Sequence, residues 1–341
     1  MEKIKIGVIS PSEIAFRRFL PALKLIDDAE YVGLALNSLS ERYGENMPEK
    51  SVQDEMLRRE NLKAENFVEN FGGKVFHSYE ELICSNEVDA LYIPLPPALH
   101  YKFARNALIH NKHVLIEKPA VLSLENAHEL SELAGEKKLA LHENYMFVYH
   151  AQVQAVNEII ASGEIGEVRL IRIRFGFPMR AANDFRYVKS LGGGALNDAG
   201  GYTIKYASFM LGESAKILYA KLNYISGFEV DMFGSGALCN DEGLTAQISF
   251  GMDNDYKCEL EIWGSKGTLS TGRILTAPAG FVPEVIINGE TRKLPADDAF
   301  KKSIEQFILC INDENARRKN YSDIIQQAEL VEKFRKKAED E

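Results

Sequence analysis

The sequence predicts an α/β fold: an N-terminal doubly wound parallel sheet, then a C-terminal α+β domain with a large, mainly antiparallel open sheet. Three observations predict it. Short apolar runs alternate with helical patterns through the first half. Strands that alternate apolar and polar residues dominate the second half. The chain has 341 residues, more than one core usually serves, so two domains are expected. The first is placed at 1–145, with an inserted segment at 40–73, and the second at 146–341.

The elements follow in order. Lys5 to Ile9 reads as a short apolar strand. Glu13 to Ile26 carries Ile14, Phe19, Leu20, Leu23 and Ile26 at helical spacing. Tyr31 to Leu36 is a second strand and Val75 to His77 a third, with the helix Tyr79 to Cys84 behind it. Val88 to Pro94 and His113 to Ile116 are the fourth and fifth strands, each followed by a helix (His100 to His110; Leu124 to Lys137). Leu139 to His142 closes the series. Such alternation produces right-handed βαβ units. Ser40 to Gly73 is too long and polar for a plain connection. Its Met56, Leu57, Leu62 and Phe67 predict one or two amphipathic helices, either a solvated decoration or a cover over one end of a ligand site.

After the helix Gln152 to Ser162, strands are expected at Val168–Phe175, Ala215–Tyr224, Phe228–Cys239, Leu244–Phe250, Tyr256–Trp263 and Glu284–Ile287. Gly264-Ser265-Lys266-Gly267 and Asn288-Gly289 are the turn signals between them. Helices return at Phe300–Asn312 and Ser322–Lys337.

Composition excludes several roles. A net charge of −10, from 50 acids and 40 bases, argues against nonspecific nucleic-acid binding. No apolar run approaches a membrane span. Met1 to Ile6 enters a strand at once, without the shape of a signal peptide. Cys84, Cys239, Cys258 and Cys310 form no paired motif and read as reduced, mostly buried thiols of a cytoplasmic protein. The seven histidines show no ligand spacing, so no metal is expected.

The feature with most chemical content is Glu117-Lys118-Pro119. It ends the fifth strand, where open α/β sheets bind ligands, and holds an ammonium on a rigid turn. Alone it is equally a surface turn. The first strand–turn–helix reads Ser10-Pro11-Ser12-Glu13-Ile14-Ala15. Set against the glycine-rich phosphate loop, it has serines at the first two glycine positions and Ala15 at the third. At the end of the second strand stand Asn37 and Ser38, with Arg42 beyond. Asn37 offers a hydrogen bond to a ribose, but these side chains do not choose between NAD and NADP. Pro94-Leu95-Pro96 forms a stiff segment after the fourth strand, with His100 at the following helix start. Gly192-Gly193-Gly194 precedes a helix on which Asp198 and Tyr202 share a face. The glycines are expected to let backbone approach a ligand. A carboxylate and a phenol on one face suit a substrate clamp with a proton donor. A neighbouring ammonium would lower the phenol's pKa from its usual value near 10.

Together these segments resemble the glucose-fructose oxidoreductase / inositol dehydrogenase family, known as Gfo/Idh/MocA. The likeness spans nearly the whole chain: the opening strand, His113 to Pro119, Glu143 to Tyr149, the triple-glycine segment and Glu261 to Leu269. It implies an N-terminal Rossmann domain and a substrate-binding domain whose sheet makes a homodimer or homotetramer. It also implies NAD- or NADP-dependent oxidation or reduction of a small sugar-like substrate, including nucleotide-linked sugars. Carried over, it assigns Lys118, Tyr202 and Asp198 to catalysis. The cofactor set is Ser10, Ser12, Glu13, Ile14, Asn37, Ser38, Pro94, Leu95, Pro96, His100, Glu117, Lys118 and Asn144. Tyr202 stands where many members carry histidine, and with Phe16 to Leu23 it is similar to the sugar-ketoreductase branch. Because the phosphate loop lacks glycines, a catalytically silent nucleotide- or sugar-binding member is the alternative.

Overall fold

The first sheet has six strands, all parallel, in the order β3-β2-β1-β4-β5-β6. They are β1 (Ile4–Ile9), β2 (Ala29–Ala35), β3 (Lys74–Phe76), β4 (Ala90–Ile93), β5 (His113–Ile116) and β6 (Leu141–Glu143). The computed structural model describes residues 2–43 and 47–340, and the side chains of Arg42 and Tyr43 lie outside that description. The order reverses direction between β1 and β4, the switch point at which such sheets bind ligands beyond their carboxyl ends. Burial on both faces explains the unbroken apolar runs: Ile6, Val8, Leu34, Leu91, Ile93, Val114 and Ile116 are fully enclosed.

The helix after β1 is shorter than the apolar spacing suggests. It begins as a π turn, Ala15–Phe19, and continues as an α turn, Leu20–Leu23. Pro21 supplies the reason, because it has no N–H to close the α ladder on the preceding turn. The inserted segment holds two helices, Leu39–Tyr43 and Lys50–Phe71. Phe67 and Phe71 set their rings edge-on to Phe16, each with centroids 5.1 Å apart. That packing seats the long helix on the helix that follows β1.

The second sheet has eight strands in the order β14-β13-β12-β11-β7-β10-β9-β8. They are β7 (Val168–Gly176), β8 (Lys216–Tyr224), β9 (Asp231–Cys239), β10 (Thr245–Gly251), β11 (Lys257–Gly264), β12 (Thr268–Gly272), β13 (Glu284–Ile287) and β14 (Glu290–Lys293). Only β7 and β10 run parallel. Ile171, Ile173, Ile248, Phe250, Leu260 and Ile262 bury one face. The other face carries Arg172 and Arg174, paired with Glu259 and Glu261. β12 and β14 were not expected from the sequence. β14 is exposed throughout and contains no apolar residue. The Asn288-Gly289 turn creates it: both residues have positive φ (52° and 88°), which suits a tight hairpin turn.

The chain divides into two units. The first comprises 1–120, 128–144 and 304–322, and the second comprises 121–127, 145–303 and 323–341. Within the first unit, Asn320 reaches His142 Nδ1 at 2.7 Å, and the Tyr321 hydroxyl donates to the Leu139 carbonyl. Cys239, Cys258 and Cys310 are buried and Cys84 is exposed. Among the described residues no helix is long and apolar enough to cross a membrane.

His113 gives the first unit an acid sensitivity. Its Nδ1 accepts from the Ala140 N–H at 2.9 Å, joining the start of β5 to the approach to β6. Burial disfavours its cation and Arg317 repels it, against the pull of Asp89, so its pKa falls from 6.5 to about 4. The unfolded chain therefore takes up the proton first, and the stability His113 carries is complete above 6.5 and lost towards about 4. Urea melts across this window are expected to show His113→Asn losing about 1–2 kcal/mol less than the parent chain on acidification.

Candidate active site

At the carboxyl end of β1, Ser10 takes φ 79°, the left-handed region that normally calls for glycine. The Ser10 N–H continues the β1–β2 ladder to the Ala35 carbonyl at 3.1 Å, and the Ser12 N–H donates back to the Ser10 carbonyl at 2.9 Å. Ser12 Oγ accepts from the Ala15 N–H at 3.2 Å. The loop thus keeps a glycine-like backbone with serines. Glu13 and Ile14 are exposed at the helix start, and Glu13 pairs with Arg17 at 2.7 Å. A β-branched residue at this φ is strongly disfavoured, so Ser10→Val is expected to cost about 1–2 kcal/mol, whereas Ser10→Gly stays near the parent. Thermal melts with a nicotinamide-fluorescence titration check both; in the valine variant cofactor affinity falls with stability.

At the end of β2, the Asn37 Oδ1 is buried and has no hydrogen-bond partner among the described residues. Ser38 is engaged differently. Its N–H and hydroxyl both donate to Glu41 Oε2, at 2.9 and 2.7 Å. Glu41 also accepts from the N–H groups of Tyr79 and Glu80, at 3.2 and 3.0 Å. An acid does follow β2, but it is spent on capping the helix Tyr79–Cys84. Arg42, singled out from the sequence, has its side chain outside the described residues.

The ends of β4, β5 and β6 are tied together. The Tyr92 ring stacks on Phe19 at 3.9 Å, and its hydroxyl donates to Glu117 Oε1 at 2.7 Å. The Asn144 amide donates to the same oxygen at 2.6 Å. Burial raises the Glu117 carboxyl above its usual value, opposed by Tyr92, Asn144 and Lys118. The Lys118–Pro119 peptide is cis, and the next N–H, of Ala120, donates to Glu143 Oε1 at 2.8 Å. His100 is fully buried, with Nδ1 2.7 Å from the Pro119 carbonyl and Nε2 2.6 Å from the Leu95 carbonyl. Burial lowers its pKa to about 4, against those two carbonyls. Neutral His100 has one N–H to donate to one of these carbonyls, and packed between the two it links the turn after β5 to the Pro94-Leu95-Pro96 segment. Lys118 is partly exposed on a turn held on every side.

Lys118 belongs to the first unit, and Asp198 and Tyr202 to the second. There the helix starts as a π turn, Leu196–Gly200, before the α-helix Gly201–Leu211. Tyr202 is 8% exposed and ringed by Tyr145, Phe147 and Phe175, with centroids 5.3, 5.7 and 5.2 Å away. Its phenol is therefore aimed by packing. Asp198 Oδ2 accepts from Arg186 Nε at 2.5 Å, and Asp184 holds the same guanidinium at 3.0 Å. Burial works against the Arg186 charge, but the two carboxylates outweigh it and raise its pKa.

The triple glycine has a reason within the chain itself. Gly192 takes φ 80°. A Cβ on Gly193 would meet the Arg186 carbonyl at 2.4 Å, and one on Gly194 would meet Asp231 Oδ1 at 2.4 Å. The glycines let this loop fold onto its own chain, which presents Arg186 to Asp198. Arg186 is the anchor of Asp198. Tyr92 was not singled out at all, although its place in β4 beside Glu117 follows from the strand order.

Residues 36–145 match the model of an oxidoreductase family with an NAD-binding Rossmann fold, and residues 153–270 match the GFO/IDH/MocA C-terminal domain. The chain is 36% identical, over 99% of its length and 96% of the relative's, to a dTDP-3,4-didehydro-2,6-dideoxy-alpha-D-glucose 3-reductase of Actinomadura kijaniata. The enzyme of the same name from Streptomyces violaceoruber is 34% identical over 98% of this chain and 95% of its own. The crystal structure of KijD10, a 3-ketoreductase from Actinomadura kijaniata in complex with NADP and TDP-benzene, superposes with a TM-score of 0.88 at 34% identity, covering 98% of each chain. These relatives are named reductases, and the silent alternative gains no support from them. The chain belongs to the Gfo/Idh/MocA family and is an NAD(P)-dependent oxidoreductase that moves a hydride between nicotinamide and a sugar or nucleotide-sugar alcohol/ketone pair.

Proposed function

We propose that the chain reduces the 3-keto group of a dTDP-linked deoxysugar with NADPH. The observation that carries the reading is full-length likeness to dTDP-sugar 3-reductases, at 36% identity over 99% of the chain. NADP is favoured because KijD10 is described in complex with it.

The chain's own residues fit a dinucleotide. Ser10 provides the left-handed loop residue, Asn37 Oδ1 is a buried acceptor with no partner among the described residues, and Lys118 stands at the carboxyl end of β5. Ser10, Ser12, Glu13 and Ile14 would line the pyrophosphate, with backbone N–H groups and serine hydroxyls as donors. Asn37 and Ser38 would take the adenosine ribose. Pro94, Leu95 and Pro96, strapped by His100, would form a stiff wall, with Glu117 and Asn144 behind it. The bound cofactor supplies the hydride.

Tyr202 gives its phenol proton to the ketone oxygen as negative charge develops there. The Lys118 ammonium stabilises that charge and the phenolate left behind. Asp198 orients the sugar through a hydroxyl, and Arg186 holds its carboxylate in place. In the oxidising direction the same groups act in reverse.

A homodimer or homotetramer forms through the open face of the second sheet, which exposes Tyr219, Phe233, Trp263 and Ile286 at 39–44% among paired charges. Two shallow grooves, about 760 and about 390 Å³, run along this face past Arg174. They are assigned to the contact between copies rather than to chemistry, because Lys118, Asp198 and Tyr202 do not line them. The enzyme works in the cytoplasm, where Cys84 stays reduced.

Titrating the protein with NADPH and NADH while following nicotinamide fluorescence tests the cofactor assignment. Tighter binding of NADPH is expected, and binding of NADH alone overturns it. Light scattering tests the assembly, with a monomer as the contrary result.

A further inference from the structure

On the outer side of the first unit, three side chains of different chemistry converge. The helix Tyr79–Cys84 presents Glu80 and Cys84 one turn apart, and His110 caps the following helix, Pro97–Ile109. A carboxylate oxygen, the thiol sulfur and a ring nitrogen from these three residues all lie within 4.8 Å of one another. The Cys84 Sγ is 3.4 Å from Glu80 Oε1. Tetrahedral zinc with bonds of about 2.3 Å to sulfur and about 2.0 Å to oxygen or nitrogen sets neighbouring ligand atoms about 3.5 Å apart. The sulfur–oxygen edge of such a site is therefore already formed.

Hydrogen bonds to one neighbouring residue hold two of the three groups. His110 Nδ1 lies 3.0 Å from the Asn106 carbonyl. In the tautomer that donates there, Nε2 keeps its lone pair. The Asn106 side-chain amide donates to Glu80 Oε2 at 2.7 Å, which leaves Oε1 beside the thiol. Asn106 thus touches both His110 and Glu80. The neighbouring Lys112 ammonium is held by the carbonyls of Ser85 and Val88, each at 2.6 Å. Burial and Glu80 hold the Cys84 thiol above its usual range, and Lys112 opposes them only in part.

We propose that Glu80, Cys84 and His110 bind one zinc-class divalent cation, with water in the fourth position. Thiolate and imidazole select zinc or a similar soft transition metal over Mg²⁺ and Ca²⁺. Binding replaces the Cys84 thiol proton, so one proton leaves as the sulfur–metal bond forms. The sequence hid this site because its donors come from one helix and from the cap of the next, with no local ligand motif.

The test uses the full chain, stripped with a chelator and titrated calorimetrically with Zn²⁺, then with Co²⁺ under absorbance. One equivalent of Zn²⁺ is expected, unaffected by equimolar Mg²⁺, together with a near-ultraviolet thiolate-to-cobalt charge-transfer band. Cys84→Ser is expected to abolish the band. Cys84→Ser and His110→Ala should each weaken Zn²⁺ binding at least about tenfold, and Asn106→Ala should do so about tenfold through the lost orientation. Cys84 and His110 lie at helix ends, so circular dichroism of each variant confirms that the fold is intact. Absence of a bound equivalent, or equal affinity in the parent, Cys84→Ser and His110→Ala chains, overturns the proposal.

Discussion

Replacing Lys118 with alanine is expected to lower kcat for ketone reduction by about 10³-fold, with KM changed far less. The asymmetry follows from where the lysine sits. Its turn is held by contacts of the neighbouring residues. The Glu117 N–H bonds to the Ile93 carbonyl at 3.1 Å, the Ala120 N–H to Glu143, and the Pro119 carbonyl faces His100. Truncation therefore removes a charge and leaves the backbone in place. That charge matters most when the carbonyl oxygen becomes an alkoxide, so the loss falls on the transition state rather than on ground-state binding. Lys118→Arg keeps the charge but spreads it over a planar fork, and should recover only part of the rate. Steady-state kinetics on the three proteins check this. A Lys118→Ala enzyme with the parent kcat would remove lysine from the mechanism.

Tyr202→Phe is expected to reduce kcat by about 10²-fold while leaving stability within about 0.5 kcal/mol. The ring stays in its enclosure of Tyr145, Phe147 and Phe175. Only the hydroxyl goes. The pH profile separates this role from packing. If the phenol is the acid, the parent rate of reduction falls at alkaline pH as the phenol ionises, and the phenylalanine variant loses that limb. Because the phenol and the ammonium act on one developing charge, the double variant should lose far less than the product of the single losses. An unchanged alkaline limb in Tyr202→Phe would assign the proton to another group.

The fold was legible because both periodicities were strong. The buried runs of β1, β4 and β5 and the alternation in β7 each follow from the faces they cover. β14 was not legible, since Glu-Thr-Arg-Lys carries no apolar residue and exists as a strand only through the turn at Asn288-Gly289. The π turn at Ala15–Phe19 was missed for a local reason, the missing N–H of Pro21 inside an otherwise helical spacing. The chemical residues were visible as types at the ends of elements, but their supports were not. That Arg186 fixes Asp198, that Glu41 is committed to a helix cap, and that His100 packs between two carbonyls all depend on contacts between separate elements rather than on local pattern. The glycine-poor phosphate loop, the weakest part of the sequence pattern, has its explanation in the left-handed backbone of Ser10.

The central claim is a hydride transfer to a 3-keto nucleotide sugar, completed by a proton from Tyr202. Single-turnover reduction with NADPH deuterated at the transferring position of the nicotinamide tests it most directly. The prediction is a dTDP-sugar product with deuterium on carbon 3, and a loss of nicotinamide absorbance that slows sharply in Tyr202→Phe. Turnover that leaves no deuterium on carbon 3, or no oxidation of NADPH with the keto sugar present, would contradict it.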